Sequence, residues 1–325
     1  MILQLAILAA GMVLLVLGGR MLVSGASQLA RGLGVSELTV ALTVVAFGTS
    51  APELSVNVLA ALQGSSALAF GNVVGSNITN VALVLGVCAL IRPLAVGENV
   101  LSKEIPLMLL ATVLTVALGL DLHRPEGGVF ARNDGFVLLV IFAVFLTRAV
   151  AGVLWQQERE PLDMLAHTLG VRARPASAWP GAVRVAVGLA GLIAGGQLTV
   201  DSAVALAEAL EVPRAVIGLT VVAFGTSLPE LATSIVAAAR GQTDLAVGNV
   251  VGSNIFNLLF ILGATASIRP VEVPTAGGTT DLLLMTVVSV AILVFARLSR
   301  GRIVRWQGAL LVTTYLAFVG LRYTI

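Results

Sequence analysis

The chain has 325 residues, of which 58% are hydrophobic and 11% are charged, and its mean hydropathy is +1.01. Soluble domains carry about 25% charged residues, so the composition excludes soluble enzymes, nucleic-acid-binding proteins and disordered chains. It predicts an integral membrane protein, and at about 20 residues per span the length accommodates roughly ten membrane-crossing helices.

Ten hydrophobic runs follow one another along the chain, five on each side of one long polar segment. No β-strand alternation accompanies them, which predicts an all-α integral membrane protein with ten transmembrane helices rather than a β-barrel. The polar segment, residues 155–180, divides an N-terminal five-helix unit (1–154) from a C-terminal one (181–325). The runs lie at about residues 3–23, 37–62, 68–91, 104–121, 135–154, 182–203, 214–239, 245–267, 281–297 and 304–321.

Basic residues are distributed unevenly between the two sides that these spans define. With the N-terminus outside, 14 of the 19 lysines and arginines fall on the inner side and 5 on the outer side. Loops rich in lysine and arginine stay in the cytoplasm. The pattern therefore predicts that both termini lie outside and that the 155–180 linker is cytoplasmic.

A long segment of the chain occurs twice, without gaps, at an offset of 177 residues. Leu42–Pro93 and Leu219–Pro270 are identical at 32 of 52 positions, and the longest identities are the polar stretches GTS-x-PEL and GNVVGSNI-x-N. Because each unit has an odd number of spans, the second copy enters the membrane in the opposite direction. The sequence thus predicts two inverted-topology repeats, an architecture in which substrates bind at the membrane midplane.

The first polar stretch places an acid, Glu53 or Glu230, inside an otherwise apolar span, which indicates a functional site. Each acid follows a proline, Pro52 or Pro229, which removes a backbone hydrogen bond and breaks the helix. Freed carbonyls at membrane depth must line a cavity or find a partner. The oxygen-bearing groups that this predicts beside the acids are the side chains of Thr49, Ser50, Thr226 and Ser227 and the carbonyls of 46–49 and 223–226.

The second polar stretch places amides and hydroxyls on one face of a helix. Asn72, Ser76 and Asn80 follow at intervals of four residues, and Asn249, Ser253 and Asn257 repeat the spacing. Carboxylate, hydroxyl, amide and carbonyl oxygens are hard ligands that suit Ca²⁺ and Na⁺. Two glutamates neutralise one Ca²⁺, so such a site lets Ca²⁺ compete with Na⁺ or H⁺. The sequence predicts no cofactor and no zinc or copper site.

The paired motifs GTSAPEL…GNVVGSNITN and GTSLPEL…GNVVGSNIFN resemble the α-repeats of the calcium/cation antiporter superfamily, specifically prokaryotic sodium/calcium exchangers. The resemblance covers nearly the whole chain. It implies a prokaryotic plasma-membrane antiporter that expels Ca²⁺ in exchange for Na⁺, acting in the lipid bilayer without an obligate protein partner. It also implies that the first and sixth spans, with Gly18–Gly19 and Gly195–Gly196, slide across the other eight.

The same resemblance implies which residues hold each ion. Ca²⁺ is assigned to Glu53, Glu230, Thr49 and Thr226, and Na⁺ further to Ser50, Ser227, Ser76, Ser253 and the carbonyls of Ala46 and Ala223. Asn80 and Asn257 fall beside the central site. Some relatives have aspartate at the position of Asn257, so participation of H⁺ or K⁺ stays open.

Three other functions compete with Na⁺/Ca²⁺ antiport. H⁺/Ca²⁺ antiport uses a related architecture and is the main alternative. A cation channel also places carboxylates at a constriction, but it gains its pore from oligomeric symmetry or an open path. An intramembrane enzyme is disfavoured because the sequence has no HExxH or GxSxG motif and no histidine near the acids.

Overall fold

The computed structural model describes residues 2–120, 128–157, 177–210 and 223–324, and 86% of these described residues are helical. Helices are expected in an apolar chain because each satisfies its own backbone hydrogen bonds. The helices are α1 (Ile2–Leu33), α2 (Glu37–Thr49), α3 (Ala51–Gln63), α4 (Ser66–Ile91), α5 (Val100–Gly119), α6 (Arg132–Gln157), α7 (Trp179–Ala209), α8 (Ala223–Thr226), α9 (Leu228–Ala239), α10 (Thr243–Ile268), α11 (Gly278–Leu298) and α12 (Arg305–Thr324).

Six of the described helices, α1, α4, α5, α7, α10 and α11, are long and apolar enough to cross a membrane. The bent pair of α2 and α3 makes a seventh span if it is counted as one, and α9 is a shorter apolar helix. The chain is therefore a helical membrane protein. The predicted span 214–239 falls partly on residues 211–222, outside the described residues, and the number of ten spans stays a prediction.

Four two-residue strands join distant parts of the chain and depart from the all-α expectation. They are β1 (Leu94–Ala95), β2 (Val129–Phe130), β3 (Val271–Glu272) and β4 (Arg302–Ile303). β1 pairs antiparallel with β4, and β2 pairs antiparallel with β3. Each pair links the first half of the chain to the second, outside the apolar helices, where a loop backbone needs hydrogen-bond partners.

The long helices α1 and α7 pack against each other, antiparallel, through glycines. A Cβ added at Gly18 would lie 2.8 Å from the backbone nitrogen of Leu192, and one added at Gly188 would lie 2.5 Å from that of Leu22. These approaches leave no room for a side chain, so the two backbones are in contact. Small residues allow such contact between membrane helices. The glycines concerned recur every seventh residue, at Gly11, Gly18, Gly25 and Gly32 of α1 and Gly181, Gly188 and Gly195 of α7.

The most buried helices are α4 and α10, which carry the second polar motif. In their most apolar 18-residue windows, 72% of α4 and 94% of α10 is buried inside the protein. Each contains a π-helical segment, Thr79–Leu85 or Phe256–Ile261, directly after the motif serine and asparagine. Such segments are frequent at functional sites. The polar stripes therefore lie in the interior of the molecule and not on its lipid-facing surface.

The glycine pair of the second motif on α10 packs closely against a helix of the other half. Gly248 and Gly252 of α10 face α2, where an added Cβ would lie 2.9 Å from the side chain of Leu38 and from the Cα of Leu42. This is the close helix contact that a GxxxG pair predicts. The residues that correspond to this part of α2 in the second half lie within 211–222, outside the described residues.

Candidate functional site

Both motif prolines stand just after a break between two helices. α2 ends at Thr49 and α3 begins at Ala51, with a bend of 45° between them. The residue at the break, Ser50, has φ −84° and ψ 8°, and its counterpart Ser227, between α8 and α9, has φ −86° and ψ 5°. The prolines stand in the first turn of the following helix, where a missing N–H costs no hydrogen bond. The structure thus has the helix breaks that the sequence predicts.

The two acids, Glu53 and Glu230, are buried, and each accepts a hydrogen bond from the serine at the helix break of the other half. Glu53 is 1% exposed and Glu230 is 0% exposed. The Ser50 hydroxyl donates to Glu230 Oε1 at 2.9 Å, and the Ser227 hydroxyl donates to Glu53 Oε1 at 3.4 Å. Each acid lies in the first turn of its helix, where the positive end of the helix dipole favours a negative charge.

The threonines that precede the two helix breaks also form hydrogen bonds between the halves, with asparagines of the second motif. Thr49 Oγ1 donates to Asn249 Oδ1, and Thr226 Oγ1 donates to Asn72 Oδ1, both at 3.3 Å. The two asparagines are buried, and Asn249 in turn donates to the Ser234 hydroxyl at 3.0 Å. The sequence placed both asparagines on the polar stripe but not among the site residues. Their hydroxyl partners are distant in sequence, so no local pattern could have identified the contact.

The serines and asparagines farther along the stripes have unequal surroundings. The Ser253 hydroxyl donates to Glu230 Oε1 at 3.4 Å, whereas the Ser76 hydroxyl has no hydrogen-bond partner among the described residues. Asn80 Nδ2 donates to Asn254 Oδ1 at 3.1 Å. Sequence reasoning did not single out Asn254, although it lies within a motif shared by both halves.

Backbone hydrogen bonds persist at both helix breaks, beside the predicted carbonyl ligands. The Ala46 carbonyl is not freed by the break, because it accepts the Ser50 N–H at 3.1 Å and the Thr49 hydroxyl at 3.4 Å. In the second half the Ser227 N–H donates to the Phe224 carbonyl at 3.2 Å, one residue after Ala223.

Several buried oxygens of this site have no hydrogen-bond partner among the residues that the structure describes. Buried polar atoms are hydrogen-bonded in the great majority of cases, so each exception calls for an explanation. Carboxylate, hydroxyl and amide oxygens suit a hard cation such as Ca²⁺ or Na⁺. The oxygens are Glu53 Oε2, Glu230 Oε2, Ser76 Oγ, Asn80 Oδ1 and Asn257 Oδ1.

Known proteins resemble the chain over nearly its whole length. The sodium/calcium exchanger protein family matches residues 3–151 and 181–324. The inner membrane protein YrbG of Escherichia coli is 35% identical over 324 residues, 99% of this chain and 98% of that protein. The sodium/calcium exchanger MaX1 of Methanosarcina acetivorans is 35% identical over 339 residues, 96% of each chain.

A solved structure shares the fold as well as the sequence. The archaeal sodium-calcium exchanger NCX_Mj, soaked with Na⁺ and Sr²⁺, matches with a TM-score of 0.83 and 32% identity over 98% of each chain. The resemblance inferred from the two motif copies is confirmed. The chain belongs to the sodium/calcium exchanger family, within the calcium/cation antiporter superfamily.

Proposed function

We propose that this protein is a secondary antiporter that exchanges Na⁺ for Ca²⁺ across the plasma membrane and thereby exports calcium. The single observation that carries the proposal is the pair of enclosed glutamates, each with one oxygen that accepts no hydrogen bond from the described residues. Enclosing two carboxylates without compensation is costly. A divalent cation between them balances their charge and uses their free oxygens.

The ion assignment follows the geometry of the two breaks. Ca²⁺ is assigned to Glu53 and Glu230 with the hydroxyls of Thr49 and Thr226, which flank the acids on the same short segments. Asn80 and Asn257 complete the polar wall beside them with amide oxygens. The Na⁺ positions use Ser50, Ser227, Ser76 and Ser253, with the carbonyls of Ala46 and Ala223. The Ala46 carbonyl becomes available as a Na⁺ ligand once the Thr49 hydroxyl releases its weak hydrogen bond to this carbonyl.

Shared ligands explain why the two ions exchange instead of binding together. Ser50 and Ser253 both donate to the same oxygen of Glu230. A Na⁺ that binds at these serines therefore draws on the carboxylate that Ca²⁺ requires. Occupancy by one ion weakens the site for the other, and this competition is the thermodynamic basis of coupled antiport.

The architecture proposed for this function is two inverted five-helix repeats, residues 1–154 and 181–325, joined by the 155–180 linker. Reciprocal contacts support it. Ser50 contacts Glu230 while Ser227 contacts Glu53, and residues in each pair of equivalents differ by 177 in number. When a contact between two residues is repeated between their equivalents in the other half, the two halves are related by a two-fold axis.

Alternating access is assigned to α1 and α7 moving as one unit against the remaining helices. Gly18 and Gly188 interlock the two helices, whereas the neighbouring Gly19 faces the carbonyl of Ala232 on α9. An added Cβ at Gly196 would lie 3.9 Å from Pro229, in ordinary contact. The pair is thus tightly joined internally and presents small residues to the helix that carries Glu230.

The test is ⁴⁵Ca²⁺ uptake into proteoliposomes that contain the purified protein. With Na⁺ inside and none outside, we expect uptake that saturates with Ca²⁺ and ceases when the Na⁺ gradient is removed. Uptake driven by a pH gradient alone would contradict Na⁺ coupling and favour H⁺/Ca²⁺ antiport, with the glutamates as proton carriers. Flux that follows only the Ca²⁺ gradient without saturating would indicate a channel.

A further inference from the structure

A groove lined by arginines lies where α11 ends, beside the start of α5. Its lining residues are Glu98, Leu101, Ser102, Arg297, Arg300 and Gly301. Among the described residues, the guanidinium groups of Arg297, Arg300 and the adjacent Arg302 have no hydrogen-bond or ion-pair partner. Arg305 differs, because its Nε donates to the Leu90 carbonyl at 3.2 Å. The groove therefore has two arginines against one glutamate, and none of the described residues forms a hydrogen bond or ion pair with the arginine side chains.

The backbone at Arg300 has a conformation that glycine adopts more readily than arginine. Its φ is 52°, in the left-handed region, and it is the non-glycine residue with positive φ in the described part of the chain. Gly301 follows with φ 78°, and its N–H closes the end of α11 on the Ala296 carbonyl at 2.7 Å. A glycine at 300 would adopt this conformation without strain. A disfavoured conformation that persists at one residue points to a role for its side chain.

The surface next to the groove is apolar. Leu298 is 70% exposed at the end of α11, and Trp306 is 60% exposed and Leu310 is 49% exposed on α12. Exposed tryptophan is typical of the level where lipid head groups meet the hydrocarbon. The guanidinium groups thus lie at head-group depth, and an apolar helix surface extends from them toward the hydrocarbon.

We propose that this groove binds the phosphate of an anionic phospholipid head group through Arg297 and Arg300, with the acyl chains along α11 and α12. Basic pockets between membrane helices bind such head groups, and arginine pairs with phosphate through two parallel hydrogen bonds. The Glu98 carboxylate in the lining opposes the anion and tunes its affinity. The site is separate from the ion-binding residues, so it can be tested without transport.

The experiment measures thermal unfolding of the full-length protein in detergent while phosphatidylglycerol, phosphatidylcholine or inorganic phosphate is added. Phosphatidylglycerol should raise the Tm and phosphatidylcholine should not. The affinity for phosphatidylglycerol should fall about fivefold in Arg297→Ala and about thirtyfold in the double variant with Arg300→Gly. Glu98→Gln should bind more tightly, since it removes a like charge.

Arg300→Gly provides a second readout with the opposite sign. Without lipid, its Tm should equal or exceed that of the unmodified protein because the left-handed strain is relieved, yet its gain from phosphatidylglycerol should shrink. Arg269→Ala is the matched control, because this arginine lies outside the groove, beside Gly64 and close to the start of α4. An equal response of the double variant and the unmodified protein would overturn the proposal. An equal effect of inorganic phosphate alone would assign the site to free phosphate and overturn the lipid assignment.

Discussion

At the scale of single residues, the site is a set of contacts between groups that are far apart in the chain. Ser50 and Glu230 are separated by 180 positions, and Thr49 and Asn249 by 200. Each of these hydrogen bonds connects a helix break in one half to a polar side chain in the other. The two halves must therefore be assembled before these contacts exist.

Removing one carboxylate charge should abolish exchange without preventing membrane insertion. Glu53→Gln and Glu230→Gln keep the side-chain shape but leave a single negative charge for a divalent cation. Loss of one carboxylate from a buried cation–carboxylate pair costs about 3–5 kcal/mol, so Na⁺-driven ⁴⁵Ca²⁺ uptake should fall by roughly 10²–10⁴-fold. Glu272→Gln, at an exposed position on β3, is the control and should transport normally. Normal exchange in either of the first two variants would disprove the ion assignment.

At the scale of elements, glycine spacing decides how α1 and α7 pack. Glycines at every seventh position leave a stripe without side chains along each helix. Antiparallel packing brings the two stripes together, from Gly11 opposite Gly195 to Gly32 opposite Ala178. Lipid tails are as apolar as leucine, so close backbone packing and not hydrophobicity holds the pair together.

A side chain introduced into this stripe should separate the two helices. For Gly18→Ala we expect a destabilisation of about 1–3 kcal/mol from overpacking, seen as a lower Tm in detergent, together with a reduced exchange rate. Gly320→Ala on α12 is the control, because an added Cβ there has no atom of the described residues within 4 Å. Its alanine improves helix propensity by up to about 1 kcal/mol, so its Tm should be unchanged or higher. A Gly18→Ala protein as stable and as fast as the unmodified one would show that the stripe is not a tight contact.

At the scale of the whole molecule, the two halves are bound to each other at both ends as well as at the centre. β1 pairs with β4 and β2 with β3, each pair joining one half to the other. The guanidinium of Arg269 lies beside Gly64, and that of Arg92 lies beside Gly241, again at equivalent positions. The duplicated sequence is thus matched by duplicated contacts.

The orientation in the membrane can be tested with single cysteines. Cys88, the one cysteine in the sequence, is buried, so the background should be low. In intact cells, a membrane-impermeant maleimide should label Thr275→Cys, in the loop after β3, and should not label Ser177→Cys, at the end of the linker. Permeabilised cells should show labelling of both. The reverse pattern would invert the topology that the distribution of arginines predicts.

The sequence by itself determined the membrane class, the predominance of apolar helices, the presence of helix breaks beside Pro52 and Pro229, and the family. These depend on composition, local hydrophobic runs, prolines and a motif repeated at a fixed offset, all of which can be read along the chain. Only the tertiary structure decided that Asn72 and Asn249 accept hydrogen bonds from the threonines beside the helix breaks. It also decided that the Ala46 carbonyl keeps its backbone hydrogen bond. Helix packing sets those contacts, and packing brings together residues whose separation in sequence carries no local signal.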